Sequence, residues 1–174
     1  IASDVGEMWI EAVAGAETIG RFRPLSKPEL FELEYWSLEQ AKLAGNKPKP
    51  LTGHVMLVTG GAGAIGAATA KMFAANGAHV VVVDLDEARA KEVAKAAGNA
   101  SIGIGADVTR PADVRAAFDA AVATYGGVDI VVSNAGAAFE GAIGEIDDAL
   151  LRKSFELNFF AHQSVAQNAV RIFR

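Results

Sequence analysis

The chain contains no cysteine, so disulfides, thiolate metal sites and a thiol nucleophile are all excluded. Its three histidines, His54, His79 and His162, are scattered and lack the H-E-x-x-H spacing of a zinc helix. They read as structural, and no metal site is expected. No apolar stretch approaches the roughly 20 residues of a membrane helix. The first residues carry Asp4 and Glu7 instead of the basic start of a signal peptide. Basic blocks are missing too: 16 Lys and Arg against 21 Asp and Glu leave a net charge of -5. Nucleic acid and anionic membrane are therefore poor partners, and a cytoplasmic location is expected. The chain opens on isoleucine and stops inside a helical pattern, so the expectation is a piece of something longer.

What is present reads as one globular domain with an extension, 51% apolar and 21% charged. Residues 1–50 have their own texture. Ile1–Ile19 spaces Val5, Met8, Trp9, Ala12 and Ala16 as an amphipathic helix would. Two prolines break the pattern within Arg21–Pro28. Ser26-Lys27-Pro28-Glu29 then has the form of a capping box before a helix with Leu30, Phe31, Leu33 and Glu34. Ser37-Leu38-Glu39-Gln40 is a second possible cap, opening a helix to Leu43. Gly45–Pro50 reads as a stiff, solvated linker, and the domain boundary is placed there.

From Leu51 onward, apolar runs alternate with helical patterns. Strands are expected at 54–59, 79–84, 101–106 and 128–133, and helices at 64–76, 86–97 and 111–125. A last long helix should run from about Asp147 to the end. The strands are continuous apolar runs, as in Val80–Val83, which suits parallel strands covered on both faces. Gly77, Gly98 and Gly126-Gly127 stand where helices should stop. Successive β-α-β units with right-handed crossovers predict an α/β, doubly wound parallel sheet of the Rossmann type, partial, in the order 3-2-1-4.

The strongest local signal is Val55-Met-Leu-Val-Thr-Gly60-Gly61-Ala-Gly63-Ala64-Ile65-Gly66, a strand running into a glycine turn and then a helix. Glycine permits the tight turn and lets a phosphate approach without a Cβ in its way, while the helix amides face the anion. The competing reading is a tight turn with no ligand. Asp84 ends the second strand, with Leu85 beside it, where a carboxylate can accept from the adenosine ribose hydroxyls. A 2′-phosphate would face that charge, and no Lys or Arg lies in residues 59–66 to offset it, so NAD is preferred to NADP. Capping of the next helix is the other use for Asp84 or Asp86, and the two tasks can divide between them.

Thr59-Gly60-x-x-x-Ala64-Ile65-Gly66, Asp107-Val108 and Asn134-Ala135-Gly136 together resemble the short-chain dehydrogenase/reductases, across residues 52–174. The family usually has glycine at the position of Ala64, and a shifted G-x-G-x-x-G register from Gly61 also fits. The resemblance implies that Asp107 and Val108 border the adenine, that Asn134 steadies the sheet, and that Ala135 and Gly136 line the nicotinamide ribose. Asp107 can instead begin a turn capped by Thr109. Asn158 matches a family asparagine in a locally distorted helix that belongs to a proton relay; a surface asparagine is the alternative.

The family's catalysis also needs a serine and a Tyr-x-x-x-Lys pair. Here Tyr35 is followed four residues on by Glu39, and Tyr125 by Asp129. Residues 1–174 are therefore expected to bind a dinucleotide without turnover. The rivals are a non-catalytic dinucleotide-binding module and a sugar or alcohol dehydrogenase of the same family with no aldolase partner. Arg21-Phe22-x-Pro24-Leu25 and Phe31-Glu32-Leu33-Glu34-Tyr35-Trp36-Ser37-Leu38-Glu39 resemble the junction of bacterial fusions of a rhamnulose-1-phosphate aldolase with an alcohol dehydrogenase. That resemblance implies a place in rhamnose metabolism, with a small alcohol or aldehyde such as lactaldehyde as substrate. The family's habits imply a homo-oligomer when the protein is intact.

Overall fold

The computed structural model describes residues 2–21, 23–34 and 48–173. The chain divides into two compact units, Ile1–Lys47 and Pro48–Arg174.

The first unit contains α1 (Ala2–Ile19) and α2 (Lys27–Glu34). The capping box forms as its spacing predicts. Ser26 donates from its amide (2.8 Å) and its hydroxyl (2.7 Å) to Glu29 Oε2, and the Glu29 amide reaches back to Ser26 Oγ at 3.5 Å. The Ser26 hydroxyl, and then its amide, hold the Glu29 carboxyl below its usual range. The apolar face expected on α1 is not buried: Met8 and Trp9 are 67% and 63% exposed. The possible cap at Ser37–Gln40 lies outside the described residues.

In the second unit, β1 (Val55–Thr59), β2 (His79–Asp84), β3 (Ile102–Gly105) and β4 (Ile130–Ser133) form a parallel sheet ordered β3-β2-β1-β4, as expected. Helices α3 (Ala64–Ala75), α4 (Glu87–Ala97) and α5 (Pro111–Tyr125) are the crossovers. Alternate strand residues point to opposite faces, and both faces are covered. Met56, Val58, Val80 and Val82 meet Ala70 and Ala74 of α3 and Ala90 and Ala94 of α4. Val55, Leu57, Val81 and Val83 share the other core with Val114, Phe118 and Ala121 of α5. Small residues on α3 and α4 let those helices lie close to the sheet. A Cβ on Gly103 would stand 2.3 Å from the Lys91 amide nitrogen.

Two strands start later than their apolar runs suggest, and just before each start a side chain bonds a backbone amide of the neighbouring strand. The Asp129 carboxylate accepts from the Val55 amide at 2.7 Å just before β4, and Ser101 Oγ accepts from the Val80 amide at 3.3 Å just before β3. The long terminal helix is also not uniform. It comprises α6 (Asp148–Phe155), a π-helical turn (Glu156–Phe160) and α7 (Ala161–Phe173). Phe155, Phe159 and Phe160 are about half exposed along it, at 55%, 60% and 48%. Among the described residues β4 is an edge, paired with β1 alone.

Asn99 and Ala100 adopt left-handed backbone, with φ of 52° and 53°. Asn99 is held there by bonds from its amide to the Gly77 and Ala78 carbonyls. Ala100 has no such side-chain compensation, and the left-handed region costs an alanine about 1–2 kcal/mol. After the extra chain entropy of glycine is subtracted, Ala100→Gly should stabilise the protein by about 0.5–1 kcal/mol in a denaturant titration. A loss of stability would mean that the alanine methyl makes a contact worth more than the strain.

Candidate functional site

All four signals found in the sequence converge at the carboxyl ends of the strands. A cleft of about 540 Å³ opens there. Its floor is the glycine turn between β1 and α3. Gly60 has φ +63°, and a Cβ on it would meet the Ala135 Cα at 2.8 Å. A Cβ on Gly66 would meet the Gly60 carbonyl oxygen at 2.2 Å, so the first turn of α3 lies against the backbone of the turn. The first backbone bond at the start of α3 runs from the Ala67 amide to the Gly63 carbonyl, at 2.8 Å. The amides of Ala64, Ile65 and Gly66 precede it without a backbone partner, on residues that line the cleft. Ala64 is exposed at the cleft, so its methyl group does not close the cradle.

Asp84 ends β2 and is half-buried. Its Oδ2 accepts from the Ala62 amide at 2.9 Å and its Oδ1 from the Asp86 amide at 3.1 Å. The carboxylate thus pins the glycine turn and still has unused lone pairs at the cleft. Asp86, not Asp84, caps α4, by accepting from the Arg89 amide at 3.0 Å. Leu85, 76% exposed, forms the rim.

Beyond β3, Asp107 Oδ1 accepts from both the hydroxyl (2.6 Å) and the amide (3.0 Å) of Thr109. The Thr109 hydroxyl, then its amide, and more weakly Arg110, hold the Asp107 carboxyl below its usual range. It stays ionised at neutral pH; the small stability this brings is lost as pH falls through that lowered value. Thr109 does not cap α5, as one reading of the turn had it: Arg110 is the N-cap residue, without a side-chain bond, and Pro111 follows. Proline suits this first helical position because its missing N–H would have no partner there. Val108 is buried and lines the same wall.

Asn134 follows β4. Its Nδ2 donates to the carbonyls of Thr59 (3.1 Å) and Gly60 (3.2 Å), tying β4 to the glycine turn. The amides of Asn134 and Ala135 both donate to Thr59 Oγ1, at 3.0 and 3.1 Å, which satisfies that buried hydroxyl. Ala135 and Gly136 continue the wall. Every residue named from sequence for cofactor binding, Gly60, Gly63, Ala64, Ile65, Gly66, Asp84, Leu85, Asp107, Val108, Asn134, Ala135 and Gly136, lines this one cleft.

Asn158 does not line it. It sits in the π-helical turn, where its Oδ1 accepts from the Ala137 amide (3.1 Å) and its Nδ2 donates to the Ala137 carbonyl (2.8 Å). It clamps the loop behind Gly136 as a neighbouring strand would. Sequence reasoning missed Arg89 and Leu157, which also line the cleft, and the bond between Ser133 Oγ and His162 Nδ1 at 2.6 Å. Arg89 was findable: it falls in the first turn of the helix after Asp84, and that turn opens at the strand end. Leu157 carried no such signal, because its place depends on the π turn. Among the described residues no acidic or histidine cluster could hold a metal, and no helix is long and apolar enough to cross a membrane.

A family model described as short chain dehydrogenase matches residues 54–174. The chain belongs to the short-chain dehydrogenase family. Among curated relatives of this short-chain dehydrogenase chain, the uncharacterized oxidoreductase YuxG of Bacillus subtilis is 40% identical over 149 residues, covering 80% of this chain and 22% of the relative. The (+)-borneol dehydrogenase 1 of Salvia officinalis is 39% identical over 127 residues, covering 71% of this chain and 48% of the relative. The solved short-chain dehydrogenase/reductase from Serratia marcescens superposes with a TM-score of 0.67 at 34% identity, over 71% of this chain and 52% of that one. The chain thus spans half or less of these curated relatives. A second family model, aldolase class II, second domain, matches residues 1–43.

Proposed function

We propose that the cleft holds NAD and that the intact protein is an NAD-dependent oxidoreductase acting on a small alcohol or aldehyde hydrate. The observation that carries this reading is the meeting of unpaired helix amides, the Asp84 carboxylate and the Asn134–Gly136 loop around one cleft. The residues fit a dinucleotide: Cβ groups at Gly60 or Gly66 would collide with the backbone of Ala135 and of Gly60, so glycine there lets the turn, the helix start and the Asn134–Gly136 loop close up around the cleft. When bound, the dinucleotide supplies the hydride acceptor. Ala64, Ile65 and Gly66 offer amides to the pyrophosphate, and Asp84 accepts from the adenosine ribose. Val108 packs on the adenine, and Asp107 Oδ2 accepts from its amino group, since Oδ1 is engaged by Thr109. Ala135 and Gly136 border the nicotinamide ribose. Asn158 fixes that border through Ala137, at the helix distortion where the family's proton relay passes.

NAD should bind at least tenfold more tightly than NADP (about 1.4 kcal/mol), because the Asp84 charge opposes a 2′-phosphate. Asp84→Ser, which keeps an acceptor near the Ala62 amide, should narrow that gap. Calorimetry of the unsubstituted protein showing equal affinities for both cofactors would remove the argument for NAD.

The aldolase match to residues 1–43 supports a further part of this reading. Residues 1–50 are the tail and connector of an aldolase domain, fused ahead of residues 51–174, which are the NAD-binding part of the dehydrogenase. The natural full-length polypeptide should then cleave a ketose 1-phosphate as well as reduce NAD. A full-length polypeptide with no aldolase activity would sink the fusion reading while leaving the cofactor site untouched.

A further inference from the structure

Asn158 holds the Asn134–Gly136 wall of the cleft from behind, through Ala137. The front of the wall is tied to the same stretch of helix by a different pair. Ser133 Oγ and His162 Nδ1 share a hydrogen bond of 2.6 Å, the hydroxyl or the ring N–H donating according to the tautomer. Packing does not call for these two residues. Along β4, Val131 joins the core that contains Ala161 and Val165 of α7, while Ile130 and Val132 pack on the opposite face. Alternation puts Ser133 on the side of α7, where one more apolar residue would simply extend the core. Stability gains little from the bond either. Ser133 is exposed and His162 half-buried, so water competes for both partners. What the bond supplies is position. It fixes the last residue of β4, paired with β1 alone among the described residues, against the first turn of α7.

The helix therefore grips the wall on both sides, His162 at Ser133 and Asn158 at Ala137. Little slack lies between the two grips: a Cβ on Gly136 would stand 2.9 Å from Asn158 Oδ1. Resting on the reading of this cleft as the dinucleotide site, we propose that His162 is a positioning residue. Through Ser133 it sets where the Asn134–Gly136 wall stands, and hence how well the site grips the nicotinamide-ribose half of the dinucleotide. The adenosine half meets Asp84, Asp107 and Val108, which the bond does not touch. Loss of the bond should therefore be felt at one end of the ligand and not at the other.

The probes are NAD and ADP, the second of which lacks the nicotinamide ribose. Both are titrated calorimetrically into the unsubstituted chain and into His162→Ala, His162→Asn and His162→Gln, with the thermal transition of each recorded. His162→Ala should weaken NAD about fivefold, the scale of one hydrogen bond, and ADP less than about twofold. The two amide variants separate positioning from helix stability. The asparagine amide ends at the δ position, as Nδ1 does, whereas that of glutamine ends one bond farther out. Glutamine is the better helix former, and asparagine about equals histidine. His162→Asn should therefore restore NAD affinity to within about twofold of the parent, while His162→Gln stays near His162→Ala. Ser133→Ala should match His162→Ala, and the double substitution should lose no more than either alone. Because Ser133 is exposed, Ser133→Ala carries the comparison should His162→Ala fold poorly. An unchanged ratio of NAD to ADP affinity in the alanine variants, or rescue by glutamine as good as by asparagine, overturns the role of His162 alone. If the parent binds neither ligand, the cofactor reading is overturned and the role of His162 with it.

Discussion

Replacing Gly66 by alanine should abolish dinucleotide binding, with affinity down by a factor of about 100 or more. The added Cβ would stand 2.2 Å from the Gly60 carbonyl oxygen and 2.7 Å from the Gly61 Cα. Both obstacles are backbone, so no side chain can swing aside. Either the glycine turn moves off the helix or the helix start tilts, and overpacking of this kind costs about 1–3 kcal/mol. The larger effect falls on binding, because both movements take the amides of Ala64 and Ile65 out of line with the anion. A tenfold affinity loss needs only about 1.4 kcal/mol of misfit. Gly127→Ala is the control: a Cβ there meets nothing within 4 Å, and its effect should stay within about 0.5 kcal/mol. Calorimetry with NAD decides the matter. Undiminished binding by a folded Gly66→Ala protein would show that the cleft receives its ligand elsewhere.

Phe118→Ala should be the most destabilising core truncation, at about 3–5 kcal/mol. Phe118 is 1% exposed and packs in the core formed by one sheet face, α5 and α7, with Val114, Ala121 and Val165. It is the largest fully buried side chain of that core, so its loss leaves the largest single cavity. Set against a typical margin of 5–15 kcal/mol, such a loss brings the domain close to unfolding at room temperature. Denaturant titration measures it directly. A loss under about 1 kcal/mol would mean that the surrounding helices close the cavity at little cost.

The sheet and its order were legible because strands buried on both faces must be apolar at every position, and Val55–Thr59 and Val80–Val83 are. The cleft was legible for a related reason. Glycine at 60 and 66 and the acid at 84 answer local demands of backbone space and charge that leave a fixed spacing. Features that arise from side chains far apart in sequence were not legible. The side-chain bonds of Ser101 and Asp129 to the neighbouring strands, just before β3 and β4, are announced by no run of apolar residues. The π turn at Glu156–Phe160 lies inside a pattern that reads as ordinary helix, and only Asn158 marks it. The exposure of Met8 and Trp9 was hidden because periodicity tells which residues share a face, not whether anything covers it.

The strand order also favours one order of assembly. On β1, Met56 pairs with Val80 on one side and with Ile130 on the other. The second pairing closes a loop about three times longer, at an entropic cost of about 1 kcal/mol more. The β1–β2–β3 half with α3 and α4 should therefore form first, with β4 docking onto it late. The Asn134–Gly136 wall arrives with β4, so the cleft does not exist in the half-assembled chain. A dinucleotide that binds the finished cleft then acts as a latch on the last strand, by mass action. Amide hydrogen exchange should show it: saturating NAD should slow exchange at Val131 and Val132 more than at Val81 and Val82. Equal slowing along both strands would mean that the sheet opens as a single unit.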